Sequence, residues 1–119
     1  MGNTLQVERL GNVKGQSVLC FRGPLTMENL FLFQNAIRRE EGFSTVILDL
    51  SGVPYIDSTA LGALVAANVS CQKAGRRVVL SGVSERVSRM FKITNVESLF
   101  LTFPTLEDAI GGLTRAGAA

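Results

Sequence analysis

The sequence predicts an α/β domain: a mixed, mostly parallel sheet of about five strands with about four helices, in the order β-β-α-β-α-β-α-β-α. Three observations predict it. Apolar runs of strand character, "SVLCFRG", "STVILDL" and "AGRRVVLSG", alternate with stretches whose apolar residues recur at helical spacing. Gly, Pro and cap-forming residues stand between them, where one element stops and the next begins. At 119 residues the chain is long enough for one domain with one core and too short for two ordinary domains. A single domain over residues 1–119 follows, with its core at about 5–114 and a short flexible tail, "RAGAA".

The first unit is a hairpin. "TLQVERL" alternates apolar and polar residues at Leu5, Val7 and, less cleanly, Leu10; "GNVKGQ" reads as the turn, and "SVLCFRG" as the second strand, ending at Gly23. "PLTMENLFLFQNAIRREEG" shifts to helical spacing, with Thr26 as N-cap, Met27, Leu30, Ile37 and the Phe residues on the apolar side, and Gly42 as the stop. The succession Leu30-Phe31-Leu32-Phe33 wraps more than one helix face, and a wide core-facing stripe is the reading preferred to a partner surface.

The continuous Val46-Ile47-Leu48 centre of "STVILDL" is that of a strand covered on both sides or central in a sheet. From Asp57 to about Lys73 the spacing is helical, with Leu61, Leu64, Val65 and Val69 on one side and Ala60, Ala63, Ala66 and Ala67 permitting close approach. "AGRRVVLSG" returns to strand. "SERVSRMFKITN" is a short helix capped by Ser84, with Val87, Met90 and Phe91 on its apolar side, and "ESLFLTF" is the last strand. In "PTLEDAIGGL" Thr105 caps a final helix and Asp108 holds the capping-box position. Strands joined through helices become parallel neighbours by right-handed crossovers, and the hairpin supplies an antiparallel edge.

Composition excludes several classes of function. With 46% apolar and 18% charged residues and a mean hydropathy of +0.27, the chain is a folding one. No apolar run approaches the roughly 20 residues that cross a bilayer, and "MGNTLQVERL" lacks the pattern of a signal peptide. Gln6 stands where N-myristoylation requires Ser or Thr. A cytoplasmic protein without membrane insertion is expected. The net charge of +2 is too slight for a nucleic-acid partner, and the basic spots at Arg38-Arg39, Arg76-Arg77 and Arg86/Arg89/Lys92 fit helix ends. Cys20 and Cys71 form no C-x-x-C pair, and the chain has no His to complete a common zinc site. Both read as small buried hydrophobes, and neither a metal nor another cofactor is implied.

In such sheets, function gathers where strand C-termini meet helix N-termini, here at Gly23–Met27, Ser51–Thr59 and Ser81–Glu85. The second connection holds "DSTALG", a carboxylate and two hydroxyls at a helix start. Its bland role is capping by Asp57 or Ser58, worth about 1 kcal/mol. Ser58 as a nucleophile needs a base: the absence of His removes the Ser-His-Asp type, and Lys14, Lys73 and Lys92 all lie outside the three connections. The stretch is neither a G-x-S-x-G elbow nor a phosphate-binding loop, since Gly52 stands alone before Ser58. The chain does not read as an enzyme. What remains is a hydroxyl acted on by another protein. A phosphoryl group on Ser58 is tolerated at a helix N-terminus, where unpaired N–H groups and the dipole favour anions. It adds nearly two negative charges to that face.

"VILDLSGVPYIDSTALGALVAA", followed by "AGRRVVLSGVSERVSRMFKITNVESLFLTFPTLEDAI", closely resembles the STAS domain of bacterial anti-sigma factor antagonists. The resemblance runs from about Val7 to Leu113 and is most specific at D-S-T-[GA]-L-G and at "GVSERVSRMFKITNVESLF". It implies the STAS fold, and Ser58 as the phosphoacceptor of a cognate anti-sigma factor that is itself a serine kinase of the histidine-kinase-like ATPase type. The unphosphorylated antagonist binds that kinase and frees sigma; the phosphorylated one lets go until a phosphoserine phosphatase resets it. A partner surface follows at Pro24, Thr26, Asp57, Ser58, Thr59, Ala60, Leu61, Gly62, Val83 and Ser84, on a monomer. The chain departs from the family pattern twice. It has "GPLT" where G-x-L-D is common, which puts Thr26 in the Asp position, and Ala60 where Gly usually follows the hydroxyl pair. Three other readings use the same helix start: a STAS subunit docking on the ATPase of a lipid-transport ABC complex, a component of a stress-signalling scaffold, and nucleotide binding, which lacks a Gly-rich phosphate cradle.

Overall fold

Val46, Ile47 and Leu48 are wholly shielded from solvent, as a strand flanked by neighbours and covered on both faces must be. They lie at the centre of a five-stranded sheet in the computed structural model, which describes residues 4–13, 16–40 and 42–118. The strands are β1 (Gln6–Val13), β2 (Gln16–Arg22), β3 (Thr45–Gly52), β4 (Arg77–Ser81) and β5 (Leu101–Phe103), side by side in chain order. β1 pairs antiparallel with β2, and every later pair is parallel. Helices α1 (Leu30–Arg38), α2 (Ser58–Lys73) and α3 (Glu85–Ile93) make the crossovers, and α4 (Leu106–Ala118) follows β5.

Strand alternation sends Leu19, Phe21, Val46, Leu48, Leu50, Val78 and Leu80 into one core with Phe33 and Ile37 of α1, Leu61 and Leu64 of α2, and Val87 and Phe91 of α3. The other face carries a smaller core, in which Val18, Ile47 and Val79 meet Ala109 and Leu113 of α4. Cys71 is buried in the first core, whereas Cys20 is only half-buried beside the second. Burial, with the nearby Asp49 and Glu8 carboxylates, pushes the Cys20 thiol above its ordinary pKa.

Several sequence expectations are corrected. Of "ESLFLTF" only Leu101–Phe103 form β5, because Glu97–Leu99 close a 3-10 turn, and α1 ends at Arg38, short of the expected stop at Gly42. β1 runs through Gly11–Val13 instead of turning at "GNVKGQ", because a bulge between Arg9 and Gly11, with Gly11 at φ 88°, restores pairing with β2. That bulge leaves Leu10 exposed, which explains its imperfect alternation; Lys14 and Gly15 lie outside the described residues. α1 begins at Leu30, after a 3-10 turn over Met27–Asn29, and Thr26 makes no side-chain cap bond. Of the run preceding Gln34, only Phe33 enters the core, while Phe31 is 72% and Leu32 45% exposed. Val69, expected on the core side of α2, is exposed, because the sheet meets that helix along Leu61, Leu64, Asn68 and Cys71. The caps of Ser84 and Thr105 form as expected, accepting from the Val87 and Asp108 amides at 3.2 and 3.1 Å. The α4 backbone is helical to Ala118, past the point where Gly/Ala composition predicts fraying.

The end of the sheet where β3 begins is pinned by polar groups. The buried Glu40 carboxylate accepts from Arg9 Nε at 2.8 Å and from the Ser17 hydroxyl. Arg76 donates to the carbonyls of Glu40 and Phe43 at 2.6 and 2.7 Å, and Arg9 lies over the Phe43 ring. Burial raises the Glu40 pKa, but the hydrogen bonds from Ser17 and Arg9 and the charges of Arg9 and Arg76 outweigh it, so the group sits below its ordinary value. A lowered carboxylate pKa contributes stability above the unfolded value of about 4.3, and the contribution disappears as pH falls through the folded value. The gap in urea midpoint between wild type and Glu40→Gln should therefore be widest near pH 7 and close below about pH 4. A gap unchanged across that range contradicts this account.

Candidate functional site

The first two connections leave the sheet at Gly23 and Gly52. Gly23 has φ 110°, and a Cβ on it would lie 2.2 Å from the Thr4 carbonyl oxygen, so glycine is required there. Its N–H donates to the Gly52 carbonyl at 2.9 Å. Beyond this point both connections have left the strands but keep a parallel pairing: Leu25 N–H donates to Tyr55 O at 3.1 Å, and Asp57 N–H to Leu25 O at 3.0 Å. The side chains of Leu25 and Ile56 are buried beneath this short ladder.

The ladder delivers Asp57 to two helix starts at once. In extended backbone geometry at the N-cap of α2, it accepts the Ala60 amide on Oδ1 at 2.8 Å. Its other oxygen, Oδ2, accepts the Met27 amide at 2.9 Å, at the start of the 3-10 turn that leads into α1. One carboxylate therefore satisfies an orphan donor on each side, through charge-assisted bonds and at the positive ends of the peptide dipoles. The capping expected of Thr26 is supplied from another segment. Thr26 Oγ1 is shielded from solvent with no hydrogen-bond partner among the described residues.

The third connection is held against the second by packing. Gly82, at φ 65°, sits so close to β3 that a Cβ on it would lie 2.8 Å from Ser51 Cβ, and its N–H donates to Phe103 O at 3.1 Å. The buried Asp49 carboxylate accepts the hydroxyls of Ser81 and Ser51 at 2.8 and 2.7 Å and so fastens the ends of β3 and β4 together. Beyond it the Arg86 guanidinium lies 5.0 Å from the centre of the Tyr55 ring, linking α3 to the loop before Ser58.

Ser58 is the first residue of α2, and its side chain is exposed, as are Thr59 and Gly62. Thr26, Asp57, Val83 and Ser84 are half-buried. Pro24, Ala60 and Leu61 face inward, Ala60 and Leu61 within the main core, so they shape this surface from beneath and do not present contact points on it. Sequence reasoning placed Met27 and Phe31 on the apolar side of the helix, yet they are 67% and 72% exposed; it read Arg86 only as a helix-end charge and did not single out Tyr55. The four-residue apolar run was the available signal, for a helix that buries one stripe must expose part of such a run.

Chemically, the site presents an exposed hydroxyl at a helix start. Both Asp57 oxygens are engaged by backbone N–H groups. Among the described residues no group of His, Cys, Asp or Glu could hold a metal ion, and no helix is long and apolar enough to cross a membrane.

Comparison with known proteins adds four findings. The STAS domain family model matches residues 4–109. A Thermotoga neapolitana protein named as an anti-sigma factor antagonist is 33% identical over 89 residues, which cover 72% of this chain and 79% of that one. The anti-sigma-B factor antagonist of Staphylococcus epidermidis is 38% identical over 61 residues, covering 51% of this chain and 56% of that protein, so the match spans little more than half of its length. In fold, the chain is similar to a crystal structure of an anti-sigma factor antagonist from Mycobacterium paratuberculosis, with a TM-score of 0.80, 22% identity, and 92% and 93% of the two chains covered.

The double role of Asp57 is open to measurement. Asp57→Ala should lower unfolding free energy by about 2–3 kcal/mol, and Asp57→Asn, which keeps one good acceptor, by less. Amide hydrogen exchange should quicken at both Met27 and Ala60 in Asp57→Ala. Faster exchange at Ala60 alone would show that the link to α1 carries no weight.

Proposed function

The chain belongs to the STAS domain family, and from that membership we propose that it is an anti-sigma factor antagonist switched at Ser58. In this reading it works as a cytoplasmic monomer and has no catalytic activity of its own. Its unphosphorylated form binds an anti-sigma factor that is also a serine kinase and thereby frees a sigma factor. Phosphorylation of Ser58 ends the binding, and a phosphatase restores it.

One observation carries the reading: the Ser58 hydroxyl stands exposed at the first position of α2, beside a carboxylate whose two oxygens are already engaged. A kinase has access to it without unfolding anything. The phosphoryl group that results sits at a helix N-terminus, where the fold accommodates an anion. The charge therefore acts on the partner. A neutral hydroxyl is easily enclosed in an interface, whereas a dianion enclosed without matching cations pays desolvation and repels acidic groups of the partner. A penalty of about 3 kcal/mol changes affinity more than a hundredfold. The named relatives favour this reading over a transport-complex subunit.

The test is to incubate the protein with the histidine-kinase-like anti-sigma factor of its own organism and ATP, and to map phosphate by mass spectrometry. Phosphate should appear on Ser58 and be absent from Ser58→Ala. Ser58→Ala should bind the anti-sigma factor as wild type does, and the phosphoserine form at least a hundredfold more weakly, with Thr59→Ala near wild type. Equal affinity of the phosphorylated and unmodified forms would sink the proposal.

A further inference from the structure

Between α1 and α2 runs a trough of about 300 Å3, whose walls include Phe33, Ile37, Ala63 and Ala66 and whose mouth carries Arg38 and Arg76. No carboxylate lines it among the described residues. Arg76 is held rigidly there, because its Nε and Nη2 are fixed on the Phe43 and Glu40 carbonyls. The apolar surface continues past the trough toward Ser58. Phe31 stands seven residues before Arg38, on the same stripe of α1, and Met27 four residues before Phe31; the two are 72% and 67% exposed. On α2, Thr59, Ala63, Ala66 and Ser70 follow one another at helical spacing from the modification site to the far end of the trough. At 1.5 Å per residue that path is roughly 17 Å long, about three helical turns.

We propose that this trough receives a helical segment of the anti-sigma factor, about three turns long. Its apolar stripe lies over Met27, Phe31 and the trough floor, and an acidic side chain at its end farther from Ser58 meets Arg38 and Arg76. The inference rests on the antagonist reading above and names the part of the partner that reading leaves open. Two observations select this occupant. The apolar surface is an elongated strip flanked by two helices, the geometry of helix-in-groove recognition. It ends in a pair of cations, one of them immobilised, which a carboxylate complements. The other end begins beside Asp57, which holds the Met27 amide, so a segment lying in the trough passes next to Ser58 and encounters its phosphoryl charge.

Binding of the purified anti-sigma factor to trough variants decides it. Arg38→Glu and Ala66→Glu should each weaken binding at least tenfold, Arg38→Lys should lose little, and Lys92→Glu on α3 should match wild type; thermal melts establish that each variant is folded. In a separate measurement on the wild-type chain, the methyl NMR signals of Ala63, Ala66 and Ala67 should shift when the anti-sigma factor is added. Full affinity in both Glu variants, or Ala methyls that stay in place, overturns the trough proposal while phosphorylation-sensitive binding leaves the antagonist reading standing. Methyl shifts that need only a small amphiphile such as decanoate, or only a higher concentration of the chain itself, assign the trough to a lipid-like ligand or a second copy and overturn it too. No binding by wild type removes both proposals together.

Discussion

The carboxylate of Asp57, accepting the Ala60 amide on one oxygen and the Met27 amide on the other, joins the starts of the first two crossover helices. Both donors are orphans of helix geometry, and both lie where peptide dipoles favour negative charge. The pairing of Leu25 with Ile56 makes the double bond possible, because it carries the two connections side by side beyond the sheet. Remove that register and Asp57 caps one helix in the ordinary way. With it, the direction of Ser58, the position of Met27 and the spacing of α1 against α2 are tied to one another.

The two ends of the sheet show different solutions to burying charge. Where β3 begins, Glu40 is surrounded by Ser17, Arg9 and the Arg76 backbone bonds, an arrangement whose neighbouring cations favour the ionised form. Where β3 ends, Asp49 is satisfied by the hydroxyls of Ser51 and Ser81, with Gly82 packed close enough to admit no side chain. Between them lies an apolar core that includes Val46, Leu48 and Leu50. A site built on such a frame has little freedom to rearrange when one exposed hydroxyl is modified. The proposed switch at Ser58 would, on such a frame, act through charge presented to a partner and not through a change of fold.

Much of the fold was legible in the sequence because its signals are local. The continuous apolar centre of β3, the caps at Ser84 and Thr105, and the alternation of strand and helix periods each involve residues within about one or two turns of each other. Errors fell where a distant segment intervened. Thr26 is a good cap by residue type, yet Asp57, thirty-one positions later, takes the amide it precedes. Phe31 and Leu32 are apolar residues in a helix, but the sheet meets α1 along Phe33 and Ile37 and leaves them outside. The bulge after Arg9 moved the hairpin turn by making Gly11 part of a strand.

The sequence by itself determined the order of elements, the placement of a hydroxyl at the first turn of α2, and the absence of His-dependent chemistry, since these follow from periodicity, capping preference and residue identity. Only the tertiary structure decided that Asp57 serves two helices, that Ala60 and Leu61 are buried in the core, and that Met27 and Phe31 are left exposed. The physical reason is the range of the interactions. Local spacing settles which residues are neighbours within a helix or strand, whereas the register between separate connections is set by packing the whole sheet, and that register assigns each polar group its partner and each apolar side chain its face.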